Sequence, residues 1–177
     1  MSRSARRALL AAAVLAVATS PAAAQEARDI HTRVVDIEVT VSSLDDSVRE
    51  TEAGPEVRFR LAADVLFAFD SARLDAGARS RLAQVAARLH REQPRRVQIV
   101  GHTDSKGSDA YNLRLSQRRS DAVRAALVRS LASEAPAFDV RGRGEADPVA
   151  PNSRPDGSDN PRGRARNRRV EISFPRG

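Results

Sequence analysis

Val97 to Leu127 reads VQIVGHTDSKGSDAYNLRLSQRRSDAVRAAL. Val97, Ile99 and Val100 spell a short strand that runs into Gly101-His102-Thr103-Asp104. A polar loop containing Gly107 follows. Leu115, Ala122-Val123, Ala126-Leu127 and, just beyond, Leu131 then recur at helical spacing. Two starts for this helix are open. If Ser116 caps its main part, Arg119 falls in the first turn, where free N–H groups and the helix dipole favour an anion. If the helix begins near Ser108 and runs unbroken, Arg119 lies roughly 15 Å along it. It then meets Asp104 only where strand and helix pack side by side.

Upstream, Val65-Leu66-Phe67 and Phe69 form an apolar run ending at Asp70-Ser71. Asp75 is placed to N-cap a helix whose stripe is Leu82, Val85, Ala86 and Leu89, and Pro94 stops it. Before it, Val57, Phe59 and Leu61 alternate with Arg58 and Arg60, and Val35, Ile37, Val39 and Val41 alternate with Asp36, Glu38 and Thr40. Period two with one wet face predicts strands, here a β-ribbon leading into the main domain. Downstream, Phe138 and Val140 mark a strand broken by Gly142 and Gly144, residues 150–166 read as a Pro/Gly/Ser/Asp/Asn-rich loop, and Val170, Ile172 and Phe174 form a closing strand. Helices alternating with strands predict an α/β (α+β) two-layer sandwich, with helices on one face of a small mixed sheet.

Of 177 residues, 30 are Lys or Arg and 23 Asp or Glu, a formal charge of +7. The excess sits at the ends: +3 in residues 1–24, zero in 25–150 and +4 in 151–177. Absence of Cys excludes disulfides, thiolate metal sites, cysteine nucleophiles and lipid attachment through an N-terminal Cys. Arg3, Arg6 and Arg7, the apolar run Ala8 to Ala18 and the small residues Ala22-Ala23-Ala24 compose a signal peptide cleaved after Ala24. Eleven apolar residues fall well short of the ~20 that cross a bilayer. Arg6-Arg7 leaves Sec and twin-arginine export both open. The mature chain has no segment apolar enough to span a membrane, and an exported protein of the periplasm or cell envelope, or a secreted one, is expected.

Asp104 and Arg119 supply the chemistry. One carboxylate and one guanidinium facing a common cleft recognise a zwitterion, the carboxylate taking an ammonium and the fork gripping a carboxylate. The ligand class is an amino acid or the free end of a branched one. His102 and Asp104 lack a third metal ligand, since His31 and His90 lie far along the chain. Ser116 lacks a nucleophile-elbow setting. No general acid and base pair is evident, so the chain is read as non-enzymatic, without cofactor or metal. Nucleic-acid binding calls for interleaved aromatics, and five Phe, one Tyr and no Trp argue against it. A basic secreted nucleic-acid-binding protein or a wall-modifying one stands as the alternative.

The motifs GHTDSKGSDAYNLRLSQRRSDAV, GRGEADP and GRARNRRVEI, in this order, resemble the OmpA-like C-terminal domain family over about Val57 to Phe174. The resemblance implies a βαβαβ-type sandwich that binds cell-wall peptidoglycan noncovalently through the diaminopimelate of the stem peptide. It places the family's aspartate on Asp104 and its arginine on Arg119, and puts Thr103 and Asn112 in the pocket lining. Arg168 joins them, with Arg169 as the competing inward residue. The segment between Asn152 and Gly163 is longer than in the family and bears on the pocket rim. The expected organisation is a signal peptide 1–24, an N-terminal β-ribbon extension 25–56 and a peptidoglycan-binding domain 57–177. Peptidoglycan is the expected partner, and a homodimer or an envelope protein partner is left open.

Overall fold

The computed structural model describes residues 39–42 and 48–176; the expected signal segment and the alternating residues 35–38 lie outside them. The described strands are β1 (Val39–Ser42), β2 (Val48–Ala53), β3 (Glu56–Ala62), β4 (Arg96–His102), β5 (Ala137–Gly142) and β6 (Arg169–Pro175). They form one mixed sheet in the order β1-β2-β3-β6-β4-β5. Only β4 and β5 run parallel, because the long helix between them returns the chain to the same end of the sheet. The helices are α1 (Ala78–Glu92), α2 (Asp109–Leu131) and the short α3 (Pro161–Asn167).

Alternation decides which sheet face the helices cover. Val57, Phe59 and Leu61 of β3 and Val170, Ile172 and Phe174 of β6 are buried, and meet pairwise in register. They pack with Leu82, Val85 and Leu89 of α1 and Val123 and Leu127 of α2 in one core. Asp75 is not the N-cap of α1, a position held by Gly77; it lies two residues ahead, where its Oδ1 accepts the Ala78 N–H at 2.9 Å. Gln93 closes the helix with a left-handed φ of 45° just before Pro94.

Of the two starts open for α2, the structure has the second. Ser108 is its N-cap, accepting the Tyr111 N–H, and the helix runs unbroken from Asp109. Ser116 is therefore a mid-helix residue with another task. Its hydroxyl donates to the Leu113 carbonyl and accepts the Gly144 N–H, both at 2.9 Å. Ser120 Oγ likewise reaches the Arg141 carbonyl at 3.0 Å. These small side chains face Gly101 and Gly142, which stand opposite each other on β4 and β5. A Cβ on Gly101 would lie 2.4 Å from the Ser116 carbonyl oxygen, and one on Gly142 would lie 2.4 Å from the Gln117 nitrogen. Glycine on the sheet and serine on the helix thus let α2 lie tightly against the ends of β4 and β5.

Two elements differ from the sequence reading. β2 is a strand although its inward positions after Val48 are Glu50 and Glu52, where apolar residues are the usual signal. Their carboxylates are held by Arg88 of α1, at 3.4 and 2.6 Å, and Gly54, with φ 57°, opens the tight turn into β3. Within the expected 150–166 loop, residues 161–167 form α3. Asn160 caps it by accepting the Gly163 N–H at 3.1 Å, and Pro161 occupies the first turn.

Candidate functional site

The packing of α2 along β4 brings the expected residues to one place. Asp104 leaves the end of β4, Arg119 rises from the third turn of α2, and Arg168 ends α3 just before β6. All three line a cavity of about 450 Å³, together with Thr103 and Asn112. Phe67, Leu115 and Ala68 add apolar wall, and Lys106, Phe69 and Tyr111 stand at its lining as well. Arg169, the competing arginine, points elsewhere: it is buried and its Nε donates to Glu171 at 2.7 Å.

Asp104 is 6% exposed and fully engaged on one side. Its Oδ2 accepts Arg168 Nη1 at 2.8 Å and Arg164 Nη1 at 3.2 Å, and its Oδ1 accepts the Lys106 N–H at 3.0 Å. Burial pushes this carboxyl up, but the Arg168 hydrogen bond, the Lys106 N–H, the Arg168 charge and the Arg164 bond together hold it below the ordinary aspartate value. It is ionised at neutral pH. The two arginines are anchored from behind, Arg168 by Asp64 at 2.5 and 3.0 Å and Arg164 by Asp159 at 2.7 and 2.8 Å. The result is an alternating chain, Asp64, Arg168, Asp104, Arg164, Asp159, along one side of the cavity.

Arg119 is the opposite case. It is also 6% exposed, yet it forms no salt bridge among the described residues. Its Nε donates to the Ser71 carbonyl at 2.9 Å and its guanidinium carbon lies 5.2 Å from the centre of the Phe67 ring. Burial lowers its pKa, and Asp64, Asp70 and Tyr111 oppose that only in part. An arginine remains charged in any such setting. The cavity therefore contains a buried, oriented guanidinium that has no carboxylate partner among the described residues.

The remaining residues hold the frame. Asn112 is 2% exposed and its Nδ2 donates to the Asp104 carbonyl at 3.3 Å and to Glu145 at 2.6 Å, which ties the loop after β4 to the loop after β5. The Thr103 N–H donates to the Gly144 carbonyl at 2.9 Å, while its buried hydroxyl has no partner among the described residues. Tyr111 donates to Asp70 at 2.6 Å, and Asp70 itself takes a left-handed φ of 48°. Beside it Phe69 is fully exposed at the cavity mouth. Sequence reasoning missed Asp159 and Asp64, and had Arg164 only as part of the motif GRARNRRVEI without a place in the site. The usable signal was Asn160-Pro161 as a helix start, which sets Arg164 and Arg168 four residues apart on one side of a helix.

The profile of the OmpA family matches residues 66–162, more than half of the chain, including Phe67, Asp104, Asn112 and Arg119 of this cavity. The chain belongs to the OmpA family. Outer membrane protein A of Bordetella avium is 40% identical over 112 residues, 63% of this chain and 54% of its own. Among solved structures, the cell wall anchor of the T6SS from Pseudomonas aeruginosa is 27% identical, with a TM-score of 0.59 over 85% of this chain and 94% of that one. The peptidoglycan-associated lipoprotein from Burkholderia pseudomallei is 32% identical, with a TM-score of 0.51 over 62% of this chain and 87% of that one. This OmpA-family chain spans about half or less of several larger relatives, including 31% of Pseudomonas aeruginosa outer membrane porin F. No described helix is long and apolar enough to cross a membrane.

Proposed function

We propose that this OmpA-family chain is exported to the cell envelope and holds peptidoglycan noncovalently, by taking the zwitterionic free end of the stem peptide's diaminopimelate into the cavity. The observation that carries this reading is Arg119, buried and aimed by Ser71 and Phe67 but without a carboxylate partner among the described residues. Its guanidinium grips the ligand's carboxylate in a bidentate fork. Asp104, ionised and held by Arg164 and Arg168, keeps lone-pair capacity to accept from the ligand's ammonium. Phe67 and Leu115 take the methylene arm between the two ends. Likeness to a cell wall anchor and to a peptidoglycan-associated lipoprotein supports the association with the wall.

The test is sedimentation of the chain with purified diaminopimelate-type and lysine-type peptidoglycan. Retention is expected on the first and not on the second, which lacks the distal carboxylate. Asp104→Asn and Arg119→Gln should each weaken retention by at least about tenfold, since a lost charged hydrogen bond is worth ~1.5–3 kcal/mol. Circular dichroism of both variants checks the fold. Equal retention on both walls, or unchanged retention of both variants, would sink this assignment.

A further inference from the structure

Sheet order leaves β5 with one strand neighbour, β4, among the described residues. Its other side is an unpaired edge, which presents a row of backbone donors and acceptors. Pairing with β4 decides which residues supply them. The Ala137 N–H goes to the Arg95 carbonyl at 3.2 Å and the Arg143 N–H to the Gly101 carbonyl at 2.9 Å, so the odd positions of β5 turn toward β4. Phe138, Val140 and Gly142 therefore turn their N–H and C=O groups outward. Gln117 of α2 takes the Gly142 N–H at 2.7 Å and marks one end of the open edge.

Side chains flank this edge on both faces of the sheet. Phe138 and Val140 pack against the core beneath the helices, so Asp139 and Arg141 project from the opposite face. There the Arg141 guanidinium meets the Asp139 carboxylate in a bidentate pair, at 3.1 and 3.2 Å, with the arginine largely in solvent. On the helical face, Val123 and Leu127 of α2 go to the core, while Ala122 and Ala126 line a groove with Leu82 of α1. Helical spacing puts Leu113 and Val128 on the remaining flank, above the β5 edge. They are two of the three large apolar side chains exposed among the described residues. An open edge with apolar side chains beside it is a surface for another chain.

We propose that this partner is a second copy of the chain, with the two β5 strands paired antiparallel about a two-fold axis at Val140. Charge chooses the register. An axis at Asp139 or at Arg141 sets that residue against its own copy, like charge on like charge. An axis at Val140 sets Asp139 opposite Arg141 of the second copy, and Arg141 opposite Asp139 of the second copy. The outward groups agree: each Val140 bonds its copy through both N–H and C=O, and each Phe138 N–H donates to the other Gly142 carbonyl. The helices follow from the same axis. Ser120 bonds the Arg141 carbonyl at 3.0 Å, so the middle of α2 lies beside the axis, and the two antiparallel helices bring Leu113 of one toward Val128 of the other.

The experiment measures the mass of the full chain by sedimentation velocity over a concentration series. A dimer is expected, and Arg141→Glu and Asp139→Arg should each weaken it about tenfold or more, because the symmetry repeats every like-charge pair. An equimolar mixture of these two variants should recover the dimer, since each supplies the charges the other lacks. Circular dichroism checks that both fold, and if either does not, a cysteine variant decides alone. The chain has no Cys, so Val140→Cys forms a disulfide only between copies. Opposed residues of a bonded antiparallel pair sit roughly 5.5 Å apart at Cα, within disulfide reach. Mild oxidation should link Val140→Cys and should not link Ser80→Cys, exposed on α1. A chain that is monomeric at ~100 μM leaves the edge to a strand other than a second copy and overturns the proposal. A dimer that both charge variants leave intact, or that Val140→Cys does not link, is held elsewhere and also overturns it. None of the positions substituted on β5 lines the wall-binding cavity, so retention by peptidoglycan stands or falls separately.

Discussion

His102 ends β4 opposite Arg169 and is 4% exposed, with an Nδ1 that has no hydrogen-bond partner among the described residues. Burial first, and the Arg169 charge second, lower its pKa from 6.5 to about 4, against the opposing pull of Glu171 and Asp147. The native state holds this ring neutral while the unfolded chain protonates it, so between pH 6.5 and about 4 the unfolded state binds more protons. Stability from this residue is complete above pH 6.5 and is lost as pH falls through 4, a total on the order of 3 kcal/mol. Asp104 and Glu171, both lowered, add a loss of the same sign at more acid pH. Urea midpoints measured across this range should therefore decline on acidification in the unaltered chain. In His102→Gln the slope between pH 6.5 and about 5 should flatten. A parallel decline in both proteins would show that His102 is not its source.

Arg119 reaches the cavity because of an element-scale fit, the contact of α2 with the glycine ends of β4 and β5. A methyl group on Gly142 would meet the Gln117 nitrogen at 2.4 Å and its Cα at 2.7 Å, and helix backbone cannot step aside as a side chain can. Gly142→Ala should cost stability toward the upper end of the roughly 1–3 kcal/mol of overpacking, read as a lower thermal midpoint, and weaken wall retention as α2 lifts. A variant that melts with the unaltered chain would contradict this account. The β1–β2 ribbon is joined to α1 differently, through the ion pairs of Arg88 with Glu50 and Glu52 of β2 and with Glu92 of its own helix. Arg88→Met removes the cation that Glu50, Glu52 and Glu92 share, while Glu52 keeps Arg176, and should destabilise by about 1–3 kcal/mol. Loss of hydrogen-exchange protection should begin in β2, and protection lost evenly across the sheet would refute a local tether.

At the scale of the whole molecule, the question is whether wall retention arises from a site or from the basic excess, which is +4 after Ala24. Asp104 and Arg119 are each 6% exposed, and charges so buried are screened less than exposed ones, for which the Debye length is roughly 8 Å at physiological salt. Retention on diaminopimelate-type peptidoglycan should fall by less than about tenfold between ~0.1 and ~0.5 M salt. Collapse of retention over that range would mean that diffuse charge, and not the cavity, holds the wall.

Much of the architecture was legible in the residues, because period-two and helical apolar patterns at Val57 to Leu61, Leu82 to Leu89, Val97 to Val100 and Val170 to Phe174 report a local property, the face each element buries. Asp104, Arg119, Thr103 and Asn112 were legible too as candidates for one cavity, through three motifs that resemble one family. β2 was not, because its inward Glu50 and Glu52 are satisfied by an arginine on another element, a pairing that no local pattern announces. The start of α2 and the choice between Arg168 and Arg169 were likewise undecided, since both turn on which groups lie across the sheet. Sequence by itself determined the fold class and named Asp104, Arg119, Thr103 and Asn112 as candidate site residues. Only the tertiary structure decided that Asp104 is claimed by Arg164 and Arg168 while Arg119 has no carboxylate partner among the described residues, because that contrast depends on distances between segments far apart in the chain.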